Sequence, residues 1–202
     1  MLSGLAPRAK YKRLLVAPRT VRSGLVERID EIEMPRPGRA RLVRLKVNSL
    51  VDENLIDALY RASQAGVKVR CSSAASAPSA RACPGSRRTG RGPLDPGPLP
   101  GALAASSASA AGGPDGVIGS ADMMHRNLDR RVETLLMLRD PGQIEFVESL
   151  ITRGMSNEFA SWRLEADGRW IRHHLDEEGQ PLRDYQKRLI DYYAKKRRKA
   201  SR

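Results

Sequence analysis

Lys46 and Asn48 stand two residues apart on a stretch of alternating polarity. Asn127, Arg130 and Arg131 follow a second apolar run much later in the chain. Ammonium, amide and forked guanidinium groups all suit phosphate oxygens, and arginine can meet them two bonds at a time. Phosphate handling is therefore one reading of these five residues. The other leaves Lys46 and Asn48 on a solvated face and pairs Arg130 and Arg131 with Asp122 or Asp129. The run Lys195-Lys-Arg-Arg-Lys199 is open in the same way, as a solvated helix end or a polyanion contact.

Nucleophilic chemistry finds less support. Covalent catalysis needs a positioned imidazole or thiolate. The chain has three histidines, His125, His173 and His174, and no His-x-Lys pair. The Met123-Met124 pair and His125 read as packing and surface residues. The two cysteines, Cys71 and Cys83, show neither zinc spacing nor a disulfide framework. No catalytic residue and no metal ligand is named from these residues.

The elements that must position the polar groups are legible from periodicity. Lys12 to Pro18 reads as a short strand and Val21 to Glu33 as a helix, with Leu25, Val26 and Ile29 at helical spacing and Ser23 as its cap. Pro35 to Arg39 breaks the chain. From Leu42 to Asn48, Val43, Leu45 and Val47 alternate with Arg44, Lys46 and Asn48, which is strand periodicity. Asp52 to Ala65 is a helix capped by Asp52, buried through Leu55, Leu59 and Ala62, and ended by Gly66. Val67 to Val69 opens the next strand. Strand, helix and strand in alternation predict right-handed crossovers and a mainly parallel sheet. Past the middle, Val117-Ile118 ends a strand, Ser120 to Arg131 forms a polar loop and Val132 to Leu138 a strand. Pro141 to Thr152 is a helix buried through Ile144, Val147 and Ile151. A hairpin turning at Asp167-Gly168 and a last helix over Gln180 to Lys199 complete the chain. Two strand ends of one sheet should open on the same side, so Lys46, Asn48 and Asn127 should converge on one cleft.

Between Cys71 and Gly116 the sequence changes character. It has no Val, Ile, Met, Phe, Tyr or Trp there. Ala, Ser, Gly, Pro and Arg cannot bury enough apolar surface to offset the entropy of ordering, so residues 71–115 are expected to be disordered, with Leu94, Leu99 and Leu103 in no common core. The chain as a whole carries 36 Lys and Arg against 23 Asp and Glu, a formal charge of +13. Such a chain prefers polyanions: nucleic acid, anionic membrane or a phosphate polymer. Aromatic residues are 4% of the chain, which argues against base-stacking platforms. No apolar run approaches the roughly 20 residues of a membrane span, and the N-terminus has no long apolar signal core. The expected location is the cytoplasm, with peripheral membrane contact allowed.

Lys46-Val-Asn-Ser-Leu-Val-Asp52 and Ser120-Ala-Asp-Met-Met-His-Arg-Asn-Leu-Asp-Arg-Arg131 carry a family resemblance. With the Trp162/Trp170 tail, they resemble the C-terminal half of bacterial polyphosphate kinases of actinobacterial type. The resemblance implies an α/β fold: a phospholipase-D-like, mainly parallel sheet with flanking helices, interrupted by the Ala/Ser/Gly/Pro/Arg segment and followed by a hairpin and helix. It divides the chain into a lead-in (1–39), a first half-domain (40–70), the segment 71–115, a second half-domain (116–155) and a hairpin with a basic helix (156–202). It implies ATP-dependent polyphosphate synthesis through a phosphohistidine. ATP, ADP and polyphosphate are the implied partners, Mg the implied companion of ATP, a homo-oligomer the implied assembly, and no specific nucleic acid is implied. Lys46, Asn48, Asn127, Arg130 and Arg131 become the implied phosphate-binding residues.

The resemblance also bears on the odd segment. Back-translated from one nucleotide earlier, Cys71 to Thr89 permits V-L-V-R-G-I-C-A-L-R-P-G-V-P-G-L-S-E-N, as such kinases read there. Back-translated from one nucleotide later, Gly92 to Ala104 permits V-R-S-I-L-G-R-F-L-E-H-S-R, the next motif of the family. Residues 71 to about 110 thus read as out-of-frame translation of ordinary kinase coding sequence, against the alternative of a natural low-complexity linker. The family's nucleotide-contacting arginine and tunnel histidine fall within these stretches, and its phosphorylated histidine belongs to an earlier domain. The expected function is a C-terminal part of the kinase that is inactive as written. A non-enzymatic polyphosphate- or RNA-binding protein is the competing reading. A nuclease or transferase of the phospholipase-D group is a third, opposed by the missing His-x-Lys.

Overall fold

The computed structural model describes residues 11–34, 41–73, 86–89, 104–110, 113–165 and 167–200. Strand β1 (Leu14–Val16) leads into helix α1 (Val21–Glu33), then β2 (Arg41–Val47), α2 (Glu53–Gln64) and β3 (Lys68–Ser73). The strands β4 (Ser86–Thr89), β5 (Ala104–Ala110) and β6 (Gly113–Gly119) follow, then the short helix α3 (His125–Arg130), β7 (Thr134–Leu138) and α4 (Pro141–Gly154). The chain closes with β8 (Ser161–Leu164), β9 (Trp170–His173) and α5 (Tyr185–Ala200).

The nine strands of the described residues form one sheet in the order β1-β7-β6-β5-β2-β3-β4-β8-β9. The α/β class stands, and the β2-α2-β3 unit is the expected parallel crossover. The sheet is otherwise mixed rather than mainly parallel: among the described strands only the β2–β3 and β3–β4 pairs are parallel. The reason is that β5 enters between β2 and β6 in the opposite sense to both, and β1 reaches across to pair antiparallel with β7. Local periodicity marks strands but carries no information about such distant partners.

Residues 86–89, 104–110 and 113–115 were expected in the disordered segment, yet their backbone pairs in the sheet. β5 completes a ladder with β2 over Arg41–Lys46. Backbone pairing needs no apolar side chain when β2 and β6 already supply the neighbouring edges. Leu94, Leu99 and Leu103 lie outside the described residues, as do 35–40. Cys71 is buried and disulfide-bonded, although its spacing suggested no framework.

The elements form for identifiable reasons. The strip Val43, Leu45 and Val47 of β2 packs with Leu25 and Ile29 of α1 and with Leu55 and Leu59 of α2 in one core cluster. Successive residues of a strand face opposite ways. Val117 therefore joins that core while Ile118 joins a second one, with Leu138 and with Ile144, Val147 and Ile151 of α4. Arg44 lies on this second side and is held by Glu148 of α4 at 3.2 Å, so the polar edge of β2 is covered rather than solvated there. The Asp52 carboxylate caps α2 through the Leu55 N–H at 3.2 Å, and Gly66 ends the turn beyond it at φ +84°. The N-cap of α1 is Thr20, not Ser23, and Thr20 turns its hydroxyl back to Val16. The last helix begins at Tyr185, later than its apolar pattern suggested, where Asp184 accepts from the Lys187 N–H at 2.8 Å.

Gly119 ends β6 beside β7. A Cβ there would stand 2.0 Å from the Thr134 carbonyl oxygen and 2.8 Å from the Leu135 Cα. Both are backbone atoms that no rotamer change can move. Gly119→Ala should therefore lower the unfolding free energy by about 1–3 kcal/mol. Urea denaturation checks this, and an unchanged midpoint would show that the strand ends can separate freely.

Candidate functional site

The carboxyl ends of β2 and β6 define the candidate site. Each strand pairs antiparallel with β5, so the two run in the same direction and end on the same edge of the sheet. The two sequence motifs leave the sheet here and clasp each other. The Asp122 carboxylate accepts from the backbone N–H groups of Asn48 at 2.8 Å and Ser49 at 3.3 Å. Met123 donates its N–H to the Ser49 carbonyl at 3.1 Å, and its own carbonyl accepts from Val51 and Asp52 at 2.9 and 3.0 Å. Leu50 and Met123 are both buried where the loops cross.

Beneath this clasp lies a charged cluster. Asp52 is fully buried. Arg22, in the first turn of α1, donates its Nε to Asp52 Oδ2 at 2.8 Å. The outer nitrogens of the same guanidinium grip Asp129 of α3 at 2.6 and 2.8 Å. His125 Nδ1 is 3.6 Å from a carboxylate oxygen of each aspartate. The hydrogen bonds to Asp129 and Asp52 hold the Arg22 guanidinium above its ordinary value, and Arg22 in turn holds the Asp129 carboxyl below the usual range. One arginine thus ties together the starts of α1 and α2 and the end of α3. Sequence reading named Asp52 only as a cap. It missed Arg22 because the partners lie 30 and 107 positions away. A buried aspartate beyond its cap geometry leaves no local signal.

Lys46 is partly buried on β2. Burial pushes its ammonium below its ordinary 10.5, while the Asp122 charge acts in the opposite direction. Its folded value lies below its unfolded value, so the unfolded chain binds this proton more readily. The Lys46 contribution to stability must then rise with pH between the depressed value and 10.5. Lys46→Met should flatten that alkaline rise. Thermal unfolding from neutral to strongly alkaline pH measures it, and an identical profile for both proteins would contradict a desolvated Lys46.

Asn48 reaches the second motif through its backbone N–H. Asn127 is 5% exposed, and its Oδ1 is buried with no hydrogen-bond donor among the described residues. A buried acceptor left unmade is costly, so this amide offers a place for a donor brought by a ligand or a neighbouring domain. Arg130 is exposed and makes no ion pair with any described residue, whereas Arg131 reaches Glu133 at 3.8 Å. Neither arginine pairs with Asp122 or Asp129, because the clasp and Arg22 already occupy those carboxylates. Residues 120–131, read as a loop, include α3, and Asn127 sits on its buried side. Among the described residues no group of three or more His, Cys, Asp or Glu could hold a metal ion. Nor is any helix among them long and apolar enough to cross a membrane.

Comparison with known proteins places this geometry. The family described as polyphosphate kinase C-terminal domain 2 matches residues 14–73 and 107–183. A polyphosphate kinase of Streptomyces coelicolor is 45% identical over 201 residues, which are 99% of this chain and 27% of that protein. A polyphosphate kinase of Mycolicibacterium gilvum is 39% identical over 208 residues, with 94% and 26% covered. The crystal structure of polyphosphate kinase from Porphyromonas gingivalis superposes with a TM-score of 0.69 at 26% identity, over 95% of this chain and 29% of that one. NucT from Helicobacter pylori shares the fold at a TM-score of 0.51 and 18% identity, over 70% of this chain and 93% of its own. The α/β class stands, and the fold is shared with both of these solved structures. The chain spans about a quarter of the length of the curated relatives it matches.

Proposed function

Because the chain belongs to the polyphosphate kinase C-terminal domain family, we propose that it serves as the C-terminal part of an ATP–polyphosphate phosphotransferase. The carboxyl edge of β2 and β6 would handle phosphates of the nucleotide or the polymer. The observation that carries this is the clasp itself: one aspartate draws together the two motifs that contain Asn48 and Asn127, beside a desolvated Lys46. A charged lysine kept in a half-buried place disfavours folding unless an anion arrives to offset it. Lys46, Asn48 and Asn127 would converge on one bound phosphate group, with Arg130 and Arg131 at the rim.

ATP, ADP and polyphosphate are the proposed substrates and products, and a homo-oligomer the proposed assembly. Magnesium typically binds through few carboxylates plus substrate phosphates, so it would be held largely by the nucleotide. A phosphohistidine would come from another part of a longer protein. Residues 71–110 are proposed to be out-of-frame. The family match passes over 74–106, which supports that reading, while the pairing of β4 and β5 shows that the sheet accommodates part of the segment. A purely polyanion-binding protein explains the +13 charge but not the two long motifs.

Calorimetric titration with tripolyphosphate tests the site. Lys46→Met should bind about tenfold or more weakly, since a charge-assisted hydrogen bond contributes about 1.5–3 kcal/mol. Equal affinity would remove Lys46 from the site.

A further inference from the structure

A strongly basic concavity lies apart from the carboxyl ends of β2 and β6. It is a groove of about 1240 Å³ between the end of α4, the β8–β9 hairpin and α5. Seven Lys and Arg side chains line it against two carboxylates, Asp184 and Asp191. The cations come from all its walls: Arg153 from α4, Arg172 from β9, Arg183 ahead of α5, and Lys187, Lys195 and Lys196 along α5 itself. All six of these are exposed. α5 buries none of its residues. Its root is nonetheless fixed: Tyr185 donates its hydroxyl to the Leu150 carbonyl at 2.7 Å, and its ring meets Phe159 edge-on at 4.9 Å. The cationic wall is therefore anchored at one end and offered to solvent along its length.

We propose that this groove is a second polyanion site, one that holds a length of inorganic polyphosphate outside the sheet-edge site. The ligand's identity rests on the phosphate-polymer reading above; the groove and its charge do not. Like charges gathered in one concavity raise the local potential and the local concentration of a polyanion. A protein partner fits less well, because lysine is depleted at the core of protein interfaces. Nucleic acid would draw on the same cations, since arginine and lysine also read guanine edges, so the RNA arm of the test separates it from polyphosphate. The groove's lining contains no Asn or Gln, and Tyr192 and Tyr193 pack edge-to-face on each other at 5.2 Å. A bare phosphate chain needs only the row of cations.

The test uses the 202-residue chain with labelled long-chain polyphosphate and, separately, an RNA homopolymer of matched charge. The variant Lys187→Glu/Lys195→Glu/Lys196→Glu alters only exposed positions of α5. A control, Lys68→Glu/Arg70→Glu/Arg139→Glu, makes the same charge change at exposed positions elsewhere. The α5 variant should weaken polyphosphate binding about tenfold or more at low salt, well beyond the control, with the effect fading as salt rises. The α5 variant should cause the same fold-loss of long-chain binding in a Lys46→Met background as in the parent chain, which separates the groove from the sheet-edge site. Equal losses from the two triple variants, RNA bound as tightly as polyphosphate, or no binding by the parent chain would each overturn the groove. Tripolyphosphate binding that Lys46→Met weakens and the α5 variant spares would keep the sheet-edge site standing even then.

Discussion

Arg22→Ala is expected to lower the unfolding free energy by about 3 kcal/mol. Removing one partner of a buried ion pair typically destabilises by about 3–5 kcal/mol, because the other charge is left without compensation. Asp52 is that charge, at 0% side-chain exposure; Arg22 is 25% exposed, which places the effect at the lower end. For a chain of this size the melting midpoint should fall by roughly 6–12 °C. The acid limb should change as well. Arg22 holds the Asp129 carboxyl below its ordinary 3.8. A carboxyl depressed in the folded state stabilises the fold above that value, and the contribution is lost as pH falls through the folded value. Without Arg22 that acid-sensitive contribution should shrink. Arg22→Lys keeps the charge but cannot span both aspartates with one fork, so it should fall between the two. A loss below about 1 kcal/mol for Arg22→Ala would mean that the pair behaves as an ordinary surface bridge.

The 202-residue chain by itself is expected to give no ATP-dependent polyphosphate synthesis. Two of its three histidines already hold structural partners. His125 stands over Asp52 and Asp129, and His173 uses Nε2 on the Asn157 carbonyl at 2.9 Å. His174 lies in the groove between the hairpin and α5. Catalytic groups that act as a unit fail together, so the loss relative to a whole enzyme should be on the order of 10⁶ or greater. Polymer formation from labelled ATP checks this. Synthesis above that of a mock preparation would show that these residues contain a complete active centre.

Much of this molecule was legible from its sequence, and the parts that were not share a cause. β2, α2 and α4 declared themselves because each buries one periodic stripe against the sheet. The cap of α2, Asp52, stands one residue before the helix and accepts from its backbone. The strand order was hidden, because the place of β5 between β2 and β6 depends on edges far apart in sequence. Strand pairing beyond Cys71 was hidden for a related reason. The composition there reports on side-chain burial, whereas β4 and β5 join the sheet by backbone hydrogen bonds. At the site, the alternation of β2 marked Lys46 and Asn48 as a polar edge. It gave no sign that α4 would cover Arg44, that Asp122 would clasp the two motifs, or that Arg22 would reach Asp52. Those contacts exist only once the sheet has brought the strand ends to one side.

This chain carries the frame of a polyphosphate kinase C-terminal region, and residues 71–110 are proposed to disable it. The direct measurement is ATP-dependent polyphosphate synthesis by two chimeras. In each, these 202 residues replace the matching region of the Streptomyces coelicolor relative. One chimera keeps residues 71–110 as they stand, and the other carries V-L-V-R-G-I-C and F-L-E-H-S-R restored in frame. Polymer is expected from the restored chimera and none from the other. Polymer from both, or a restored chimera that folds and binds ATP yet makes none, would contradict the proposal.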